Sequence, residues 1–366
     1  MGILLAFCAI ISMILANSVW GSQYISFWQR PVHFPGWNNL PHSFLHWIND
    51  FLMSIFFFMV GMEIKRELLE GELRDFKKAI IPIFAAIGGM VFPACIYFLV
   101  CGGTPFSGGW GIPMATDIAF SLGIASLLGA RVPVSLKIFL TALAIIDDLG
   151  AIIMIAVFYG GTIHWKHLLL SLVILAGLLL MVKFRKHFPF FQFLMALVLW
   201  YLVYNSGIQA TVAGVLFAFT IPGDQLSDLE RRLHVPVNFF ILPVFALANT
   251  AMIIHPDIAV ALSHPVNIGI VLGLFLGKPL GITFFCFLLV KLNLGKLPSN
   301  INWLQLLGTG MLAGIGFTMS IFITILAFKD TSLQDQAKIG VFFGSFLSMI
   351  AGSILLLFFS KKLTSR

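Results

Sequence analysis

Long apolar stretches alternate with short polar connections along the whole chain. A membrane-spanning helix needs about 20 consecutive apolar residues, and lipid forces such a segment to be helical because an open strand leaves its backbone groups without partners. The pattern predicts twelve spans, at 2–20, 46–64, 79–100, 109–129, 134–159, 167–183, 189–204, 206–221, 236–254, 267–290, 303–328 and 338–360. We therefore expect an all-α multi-pass membrane protein.

Composition narrows the class of protein further. Of the 366 residues, 59% are hydrophobic and 10% are charged, whereas a soluble globular protein carries about 25% charged residues. Soluble enzymes, fibrous proteins and disordered chains are excluded. An outer-membrane barrel fits poorly, because its short strands alternate apolar with polar residues and the apolar runs of this chain do not. The short connections predict a single integral-membrane domain over 1–366, with one external segment at 21–45 that forms either a small hairpin or an irregular flap.

The basic residues indicate the orientation of the chain, since inner connections carry an excess of Lys and Arg. With the N-terminus inside, seventeen of the 22 basic residues lie in inner connections and four lie in outer ones, namely Arg30, Lys166, Lys329 and Lys338. Both termini are then cytoplasmic. The net charge of +7 is a topology signal, so a nucleic-acid partner is not expected.

Four charged residues lie deep in the predicted spans: Asp117, Asp147, Asp148 and Lys278. Each costs about 2.5–3.5 kcal/mol at the centre of a membrane helix. A structural ion pair could absorb Lys278 and one carboxylate, but it leaves two acids without a counter-charge. The excess of buried acid predicts a cation site.

Two of these acids are adjacent, in the sequence AIIDDLG at 144–150. Neighbouring helical residues point about 100° apart, so one carboxylate can face a cavity while the other faces another helix. A carboxyl group removed from water binds a proton more readily, and carboxylate oxygens also suit a small hard cation. Competition between a proton and a cation at one site is the physical basis of an exchanger.

Two spans are predicted to be interrupted. The sequence GGWGIPMATDIAF at 108–120 places three glycines and Pro113 before Thr116 and Asp117, and GTGMLAGIGFTMS at 308–320 is similarly rich in glycine. Glycine in a membrane helix is also used for close packing. Interrupted spans in the fourth and eleventh positions nevertheless favour a transporter with inverted-topology repeats, formed by spans 3–5 and 10–12.

Five stretches carry a specific family resemblance: GWGIPMATDIAF at 109–120, LKIFLTALAIIDDLGAI at 136–152, FILPVFALAN at 240–249, GKPLGI at 277–282 and AGIGFTMSIF at 313–322. They closely resemble the NhaA family of bacterial sodium/proton antiporters, over a region from about residue 46 to the C-terminus. The resemblance implies a multi-pass protein of the bacterial inner (cytoplasmic) membrane. It also implies a homodimer joined partly through the segment 21–45.

The resemblance implies roles for the buried polar residues. Asp148 would be the central Na⁺ ligand and proton carrier, with Asp147 either binding the ion or pairing with Lys278. Thr116 would lend an oxygen near the ion. Asp117 and Lys278 would offset the dipoles of the half-helices.

A cytoplasmic cluster linked to pH regulation is also implied, comprising Glu63, Arg66, Glu67, Glu230 and His234. These charges would otherwise be interpreted as a solvated helix end with i,i+4 pairs. The chain departs from the family pattern at two positions. Gln209 stands where a His is expected, and Arg231 stands where some members have a His, so any titratable group at these positions is lost or moved.

The leading hypothesis is an electrogenic, pH-regulated antiporter that exports Na⁺ (or Li⁺) and admits more protons than it expels cations. No cofactor is expected, and no Walker loop is present, so an ion gradient supplies the energy. An intramembrane aspartyl protease also uses two buried Asp residues, but its signature GxGD is absent from the sequence. A passive cation channel is the other alternative, and it differs by having no proton coupling.

Overall fold

A computed structural model describes residues 1–33, 39–184, 189–253, 258–297 and 301–359. The described part of the chain is helical throughout, apart from turns, short 3₁₀ segments and one isolated β-bridge. The helices are α1 (Gly2–Ala16), α2 (Gly21–Trp28), α3 (Phe44–Leu69), α4 (Phe76–Cys101), α5 (Ile118–Leu127), α6 (Val134–Phe158), α7 (Trp165–Lys183), α8 (Pro189–Tyr204), α9 (Thr211–Phe219), α10 (Gly223–Asn249), α11 (Ile258–Leu262), α12 (Pro265–Lys291), α13 (Trp303–Ala313), α14 (Phe317–Ala327) and α15 (Thr331–Phe359).

Within the described residues, eight helical segments are long and apolar enough to cross a membrane, and α13 with α14 makes a ninth if the bent pair is one span. The all-helical multi-pass class is therefore confirmed. Each of the twelve predicted positions contains helix. However, the helices within the predicted spans 2–20, 189–204 and 206–221 are shorter than a full crossing: α1 has 15 residues, α8 has 16 and α9 has nine.

The chain divides into two compact units. The first unit comprises Met1–Leu4, Glu72–Ala151 and Ile254–Arg366, and the second comprises Leu5–Gly71 and Ile152–Ile253. In the first unit, α4 packs tightly on α12 because glycines face each other: a Cβ on Gly281 would lie 2.1 Å from the carbonyl oxygen of Gly88.

The second unit is built around α3, which packs on α9 and α10. A Cβ on Gly214 of α9 would lie 2.1 Å from the Ser54 carbonyl oxygen of α3. Two buried amides join α3 to α10: Asn249 donates to Asn49 at 2.8 Å, and Asn49 donates back at 3.2 Å. Reciprocal amide bonds satisfy polar groups that lipid cannot, so the pair fixes the register of these two helices.

The segment 21–45 is neither wholly a hairpin nor wholly irregular. It begins with the helix α2 and contains one antiparallel bridge between Pro31 and Ser43. Residues 34–38 of the segment lie outside the described part of the chain.

One charged residue lies elsewhere than predicted. Lys338 is not in a connection, because α15 begins at Thr331 and carries Lys338 as a buried side chain paired with Asp335 at 3.0 Å. Residues 331–337 are too polar to belong to an apolar run, but they are helical and extend α15 by about two turns before residue 338.

Candidate functional site

The first predicted interruption is present in the fourth predicted span. Residues Ser107–Met114 form a tight 3₁₀ helix, the chain is extended over 115–117, and α5 then begins at Ile118. Glycine and proline disfavour a continuous α-helix here. Asp117 has the extended backbone of an N-cap, and its carboxylate accepts a hydrogen bond from the Phe120 backbone amide at 3.1 Å. This residue therefore starts α5, because an Asp side chain at the N-cap accepts from a free backbone amide of the first turn.

The second interruption lies between α13 and α14, which are bent by 49°. Gly316 is the N-cap of α14, and the backbone closes tightly around it: a Cβ on Gly316 would lie 2.1 Å from the Ser320 hydroxyl and 3.1 Å from the Ala115 carbonyl oxygen. A Cβ here would displace the Ser320 hydroxyl, which donates to the Ile112 carbonyl, so glycine suits this close approach.

Within the first unit, the two interruptions bind each other through groups that a broken helix leaves unpaired. The Asp117 amide donates to the Ile315 carbonyl at 2.7 Å, and the Thr116 hydroxyl donates to the Ala313 carbonyl at 2.8 Å. In the other direction, the Ser320 hydroxyl donates to the Ile112 carbonyl at 2.7 Å. Each break thus supplies the hydrogen bonds that the other break lacks.

The carboxylate of Asp117 serves two helix ends. It accepts from Phe120 in the first turn of α5, and its Oδ2 accepts from the Thr318 amide of α14 at 3.1 Å and from the Thr318 hydroxyl. Asp117 is 3% exposed. A negative charge is favourable at the positive N-terminal end of a helix, and here one carboxylate meets two such ends.

The ammonium group of Lys278 is fully buried, and its Nζ donates to both Thr116 Oγ1 and Asp147 Oδ2. Lys278 follows a wide helical turn at Gly273–Gly277 in α12, where Pro279 removes a backbone donor from the ladder. Thr116 accepts a hydrogen bond from Lys278 and donates one to the Ala313 carbonyl. Its hydroxyl therefore links the buried ammonium group to the negative C-terminal end of α13.

Asp147 is held by this ion pair, so of the two arrangements left open by the sequence, pairing with Lys278 is the one present. Its other oxygen, Oδ1, is buried and accepts no hydrogen bond of ordinary geometry from the described residues, although the Thr116 amide lies close enough to interact with the carboxylate. Asp148 is 3% exposed, and Lys278 is close enough to interact with it electrostatically. The structure thus brings the five predicted site residues together.

Three buried carboxylates, one buried ammonium and a crossing of broken helices are the features expected of an ion-transport site. Sequence comparison decides the family. The model of the family described as Na⁺/H⁺ antiporter 1 matches residues 1–356. The chain belongs to the Na⁺/H⁺ antiporter 1 family.

Several relatives of the antiporter are similar over almost their full length. Na⁺/H⁺ antiporter NhaA 1 of Flavobacterium johnsoniae is 47% identical over 361 residues, which cover 97% of this chain and 93% of the relative. Na⁺/H⁺ antiporter NhaA of Cytophaga hutchinsonii is 47% identical over 357 residues, covering 96% and 90%, and that of Dechloromonas aromatica is 45% identical over 370 residues, covering 98% and 93%.

These findings confirm the resemblance inferred from the five sequence stretches. The protein is a sodium/proton antiporter and hence a secondary transporter in the membrane, with Na⁺ and H⁺ as its transported ions. It is not an enzyme, so the aspartyl-protease alternative is wrong. The passive-channel alternative is wrong because an antiporter couples the movement of Na⁺ to that of H⁺.

The residues expected to regulate the antiporter also lie together, in the second unit. Arg66 Nη1 lies 2.9 Å from Glu230 Oε1, and Arg66 Nη2 lies 3.5 Å from Glu67 Oε1. Glu63 interacts electrostatically with all three of these side chains, and Glu230 does so with His234. The cluster is therefore a network across α3 and α10, not a set of separate solvated side chains.

One further carboxylate in a membrane-spanning helix, that of Asp50, was missed by the sequence analysis. Asp50 lies near the start of the predicted span 46–64 and is not among the four charged residues predicted to lie deep in a span. In the antiporter, its carboxylate accepts a hydrogen bond from Gln209 Nε2 at 3.2 Å, and its backbone carbonyl accepts from Trp200 Nε1 at 3.1 Å. Gln209 thus has a carboxylate partner, whereas Arg231 is exposed. An Asp inside an apolar run was the signal that could have identified the pair.

Proposed function

We propose that the antiporter works electrogenically, with Asp148 as the central Na⁺ ligand and proton carrier and Asp147 as its partner. The observation that carries this proposal is the ion pair between Asp147 and Lys278. It neutralises one of the two adjacent acids, so Asp148 can exchange a proton for a cation. Replacing one proton by one Na⁺ at Asp148 leaves its charge unchanged. A second proton requires a second titratable unit, and the Asp147–Lys278 pair can supply it, since Lys278 interacts electrostatically with Asp148.

Reconstituted proteoliposomes test this assignment. Asp148→Asn removes the exchangeable proton and one charged Na⁺ ligand, so Na⁺-driven proton movement should be abolished. Electrogenic exchange should also accelerate when valinomycin and K⁺ dissipate the membrane potential. Exchange that survives Asp148→Asn would overturn the site assignment, and a rate unchanged by valinomycin would overturn the electrogenic stoichiometry. The same assay with LiCl tests whether Li⁺ is also transported.

We further propose that Asp117 and Lys278 compensate the helix dipoles at the crossing, Asp117 directly and Lys278 through Thr116. The hydrogen bonds from Phe120 and Thr318 to Asp117 support the first role, and the contact from Thr116 to Ala313 supports the second. If the role of Lys278 is compensation, a Lys278→Ala variant should retain part of the exchange activity. Its complete loss at all Na⁺ concentrations would instead indicate that Lys278 takes part in proton exchange.

We propose a topology of twelve spans with both termini cytoplasmic in the bacterial inner membrane, and with inverted repeats formed by spans 3–5 and 10–12. The support is that the first unit contains spans 10–12 and the part of spans 3–5 up to Ala151, and that each triplet has a broken middle span. Single cysteines introduced at Ser18 and at Lys361 would be labelled from opposite sides of the membrane. Labelling of both from one side would refute this topology.

We propose that the network of Glu63, Arg66, Glu67, Glu230 and His234 regulates exchange by pH. The ion pair between Arg66 and Glu230, with the other groups around it, supports this role. Glu230→Gln should shift the curve of exchange rate against pH without abolishing exchange, since it removes a charge from the network and none from the ion site. An unchanged curve would contradict the proposal.

We also propose that the antiporter forms a homodimer, partly through the segment 21–45. The exposed aromatic and apolar side chains at the start of this segment support a contact there, with Phe27 42% exposed. Mass measurement of the purified protein in detergent, with and without deletion of this segment, tests the proposal. A full-length chain that remains monomeric would refute it.

A further inference from the structure

The N-terminal end of α14 is capped entirely from outside its own helix. The first backbone amides of any helix lack intrahelical acceptors, and Gly316, the N-cap residue of α14, has no side chain to supply one. The amides of Gly316 and Phe317 both donate to Ser345 Oγ, each at 3.2 Å. The next amide, that of Thr318, donates to Asp117 Oδ2 at 3.1 Å. Three successive donors are thus satisfied by α15 and by the other interruption.

Ser345 is suited to this contact by its position and by its chemistry. It lies in the middle of α15 and is 5% exposed, so water has little access to replace its hydroxyl. A serine oxygen can accept two hydrogen bonds, and both are used here. The hydroxyl is neutral, so it caps α14 without adding another uncompensated charge beside Asp117, which would be costly in a membrane.

Close backbone contacts hold α15 against the interruption between α13 and α14. A Cβ on Gly344 would lie 3.1 Å from the Leu274 side chain, and a Cβ on Gly314 would lie 2.4 Å from the Leu274 carbonyl oxygen. The same Cβ on Gly314 would lie 2.9 Å from the hydroxyl of Ser348, the next polar residue along α15. Unlike Ser345, Ser348 is fully buried with its Oγ making no hydrogen bond to the described residues.

We propose that Ser345 is a positioning residue for Na⁺/H⁺ exchange. It fixes the first turn of α14, which fixes Asp117 through Thr318, and Asp117 is the direct neighbour of Thr116, the residue that contacts Lys278. Without the hydroxyl, two buried amides lose their acceptor, and the nearest charged acceptor of this helix end is Asp117. A carboxylate drawn toward these amides would displace Thr116 from Lys278. This inference rests on the proposed ion site at Asp147 and Asp148.

The test compares Ser345→Ala with the matched control Ser348→Ala, because both serines are buried in the same helix and only one of them accepts hydrogen bonds. Purified variants would be reconstituted in proteoliposomes, and Na⁺-driven proton movement would be measured over a range of Na⁺ concentrations and pH values. We expect Ser345→Ala to raise the apparent KM for Na⁺ about five-fold, which corresponds to ~1 kcal/mol, with a smaller change in maximal rate and a shifted pH profile. Ser348→Ala should behave as the wild type, and Ser345→Thr should restore the KM.

A melting temperature for each variant separates positioning from general loss of stability. If Ser345→Ala is too unstable to reconstitute, Ser345→Cys keeps the packing volume with a weaker acceptor and should raise the KM to a smaller extent. An unchanged KM and pH profile in Ser345→Ala, or in Ser345→Cys in its place, would overturn the proposal. Equal effects of Ser345→Ala and Ser348→Ala would also overturn it. Asp148→Asn measured in the same preparation distinguishes the two levels: its retained activity would refute the ion site, whereas its inactivity beside a wild-type-like Ser345→Ala would refute only the role of Ser345.

Discussion

Removal of the Asp117 carboxylate should destabilise the antiporter strongly, because that one group holds both interruptions. In Asp117→Ala, α5 and α14 each lose a cap, at about 1 kcal/mol per cap. The Thr318 hydroxyl, which donates to Asp117 and is 3% exposed, loses its acceptor, at about 1–3 kcal/mol. The free energy of unfolding should therefore fall by about 3–5 kcal/mol, a large fraction of the about 5–15 kcal/mol of an ordinary domain.

Asp117→Asn should be milder. Asparagine is as good an N-cap as aspartate, so the bond from Phe120 can remain, but the amide nitrogen would face the donors of Thr318 and leave them unpaired, at about 1–3 kcal/mol. Ser121→Ala is the matched control, since Ser121 is buried in α5 and its hydroxyl donates to the Ile118 carbonyl of the same helix at 3.3 Å.

The assay is thermal melting of the purified variants in detergent, followed by intrinsic tryptophan fluorescence. The expected order of melting temperature is wild type and Ser121→Ala, then Asp117→Asn, then Asp117→Ala. If Asp117→Ala melted at the temperature of Ser121→Ala, the reasoning that one carboxylate caps two helices would be refuted.

Three further predictions concern substitutions at Lys278, Gly316 and Gln209. Lys278→Met leaves the buried carboxylate of Asp147 without its partner and should cost about 3–5 kcal/mol, whereas adding Asp147→Asn should recover most of the loss of melting temperature; an equal loss in both would contradict the buried pair. Gly316→Ala places a Cβ 2.1 Å from the nearest side-chain oxygen and should lower both melting temperature and exchange, while Gly177→Ala, with nothing within 4 Å, should change neither. Gln209→His should add a pH-dependent step to the exchange rate between about pH 5 and 8, and a curve identical to that of the wild type would exclude a titrating role at this position.

Much of the site could be predicted because its residues violate local rules. Asp117, Asp147, Asp148 and Lys278 are conspicuous in apolar segments, and the glycines with Pro113 mark the first interruption without reference to any other part of the chain. The N-cap role of Asp117 in α5 was predictable for the same reason, since the cap and the amide it accepts from are three residues apart. The span count was less accessible, because α9 has nine residues and its apolar run extends into turns.

The partners of those residues could not be predicted from the sequence. Asp117 accepts from Thr318, 201 residues away, and Thr116 donates to Ala313, 197 residues away. Nothing in either local pattern specifies that the second break will lie against the first. Asp50 was missed for a related reason, as its significance comes from Gln209, 159 residues along the chain.

The sequence by itself determined that the chain lies in a membrane, which segments are helical, where two of the spans are interrupted and which charged residues are buried. These follow from hydropathy, backbone propensity and the cost of charge in lipid, which act over one or two helical turns. Only the tertiary structure decided that Asp147 pairs with Lys278, that one carboxylate caps two helices and that Ser345 closes the end of α14. Those choices depend on which helices pack together, and packing is decided by the shapes of surfaces that lie far apart in the chain.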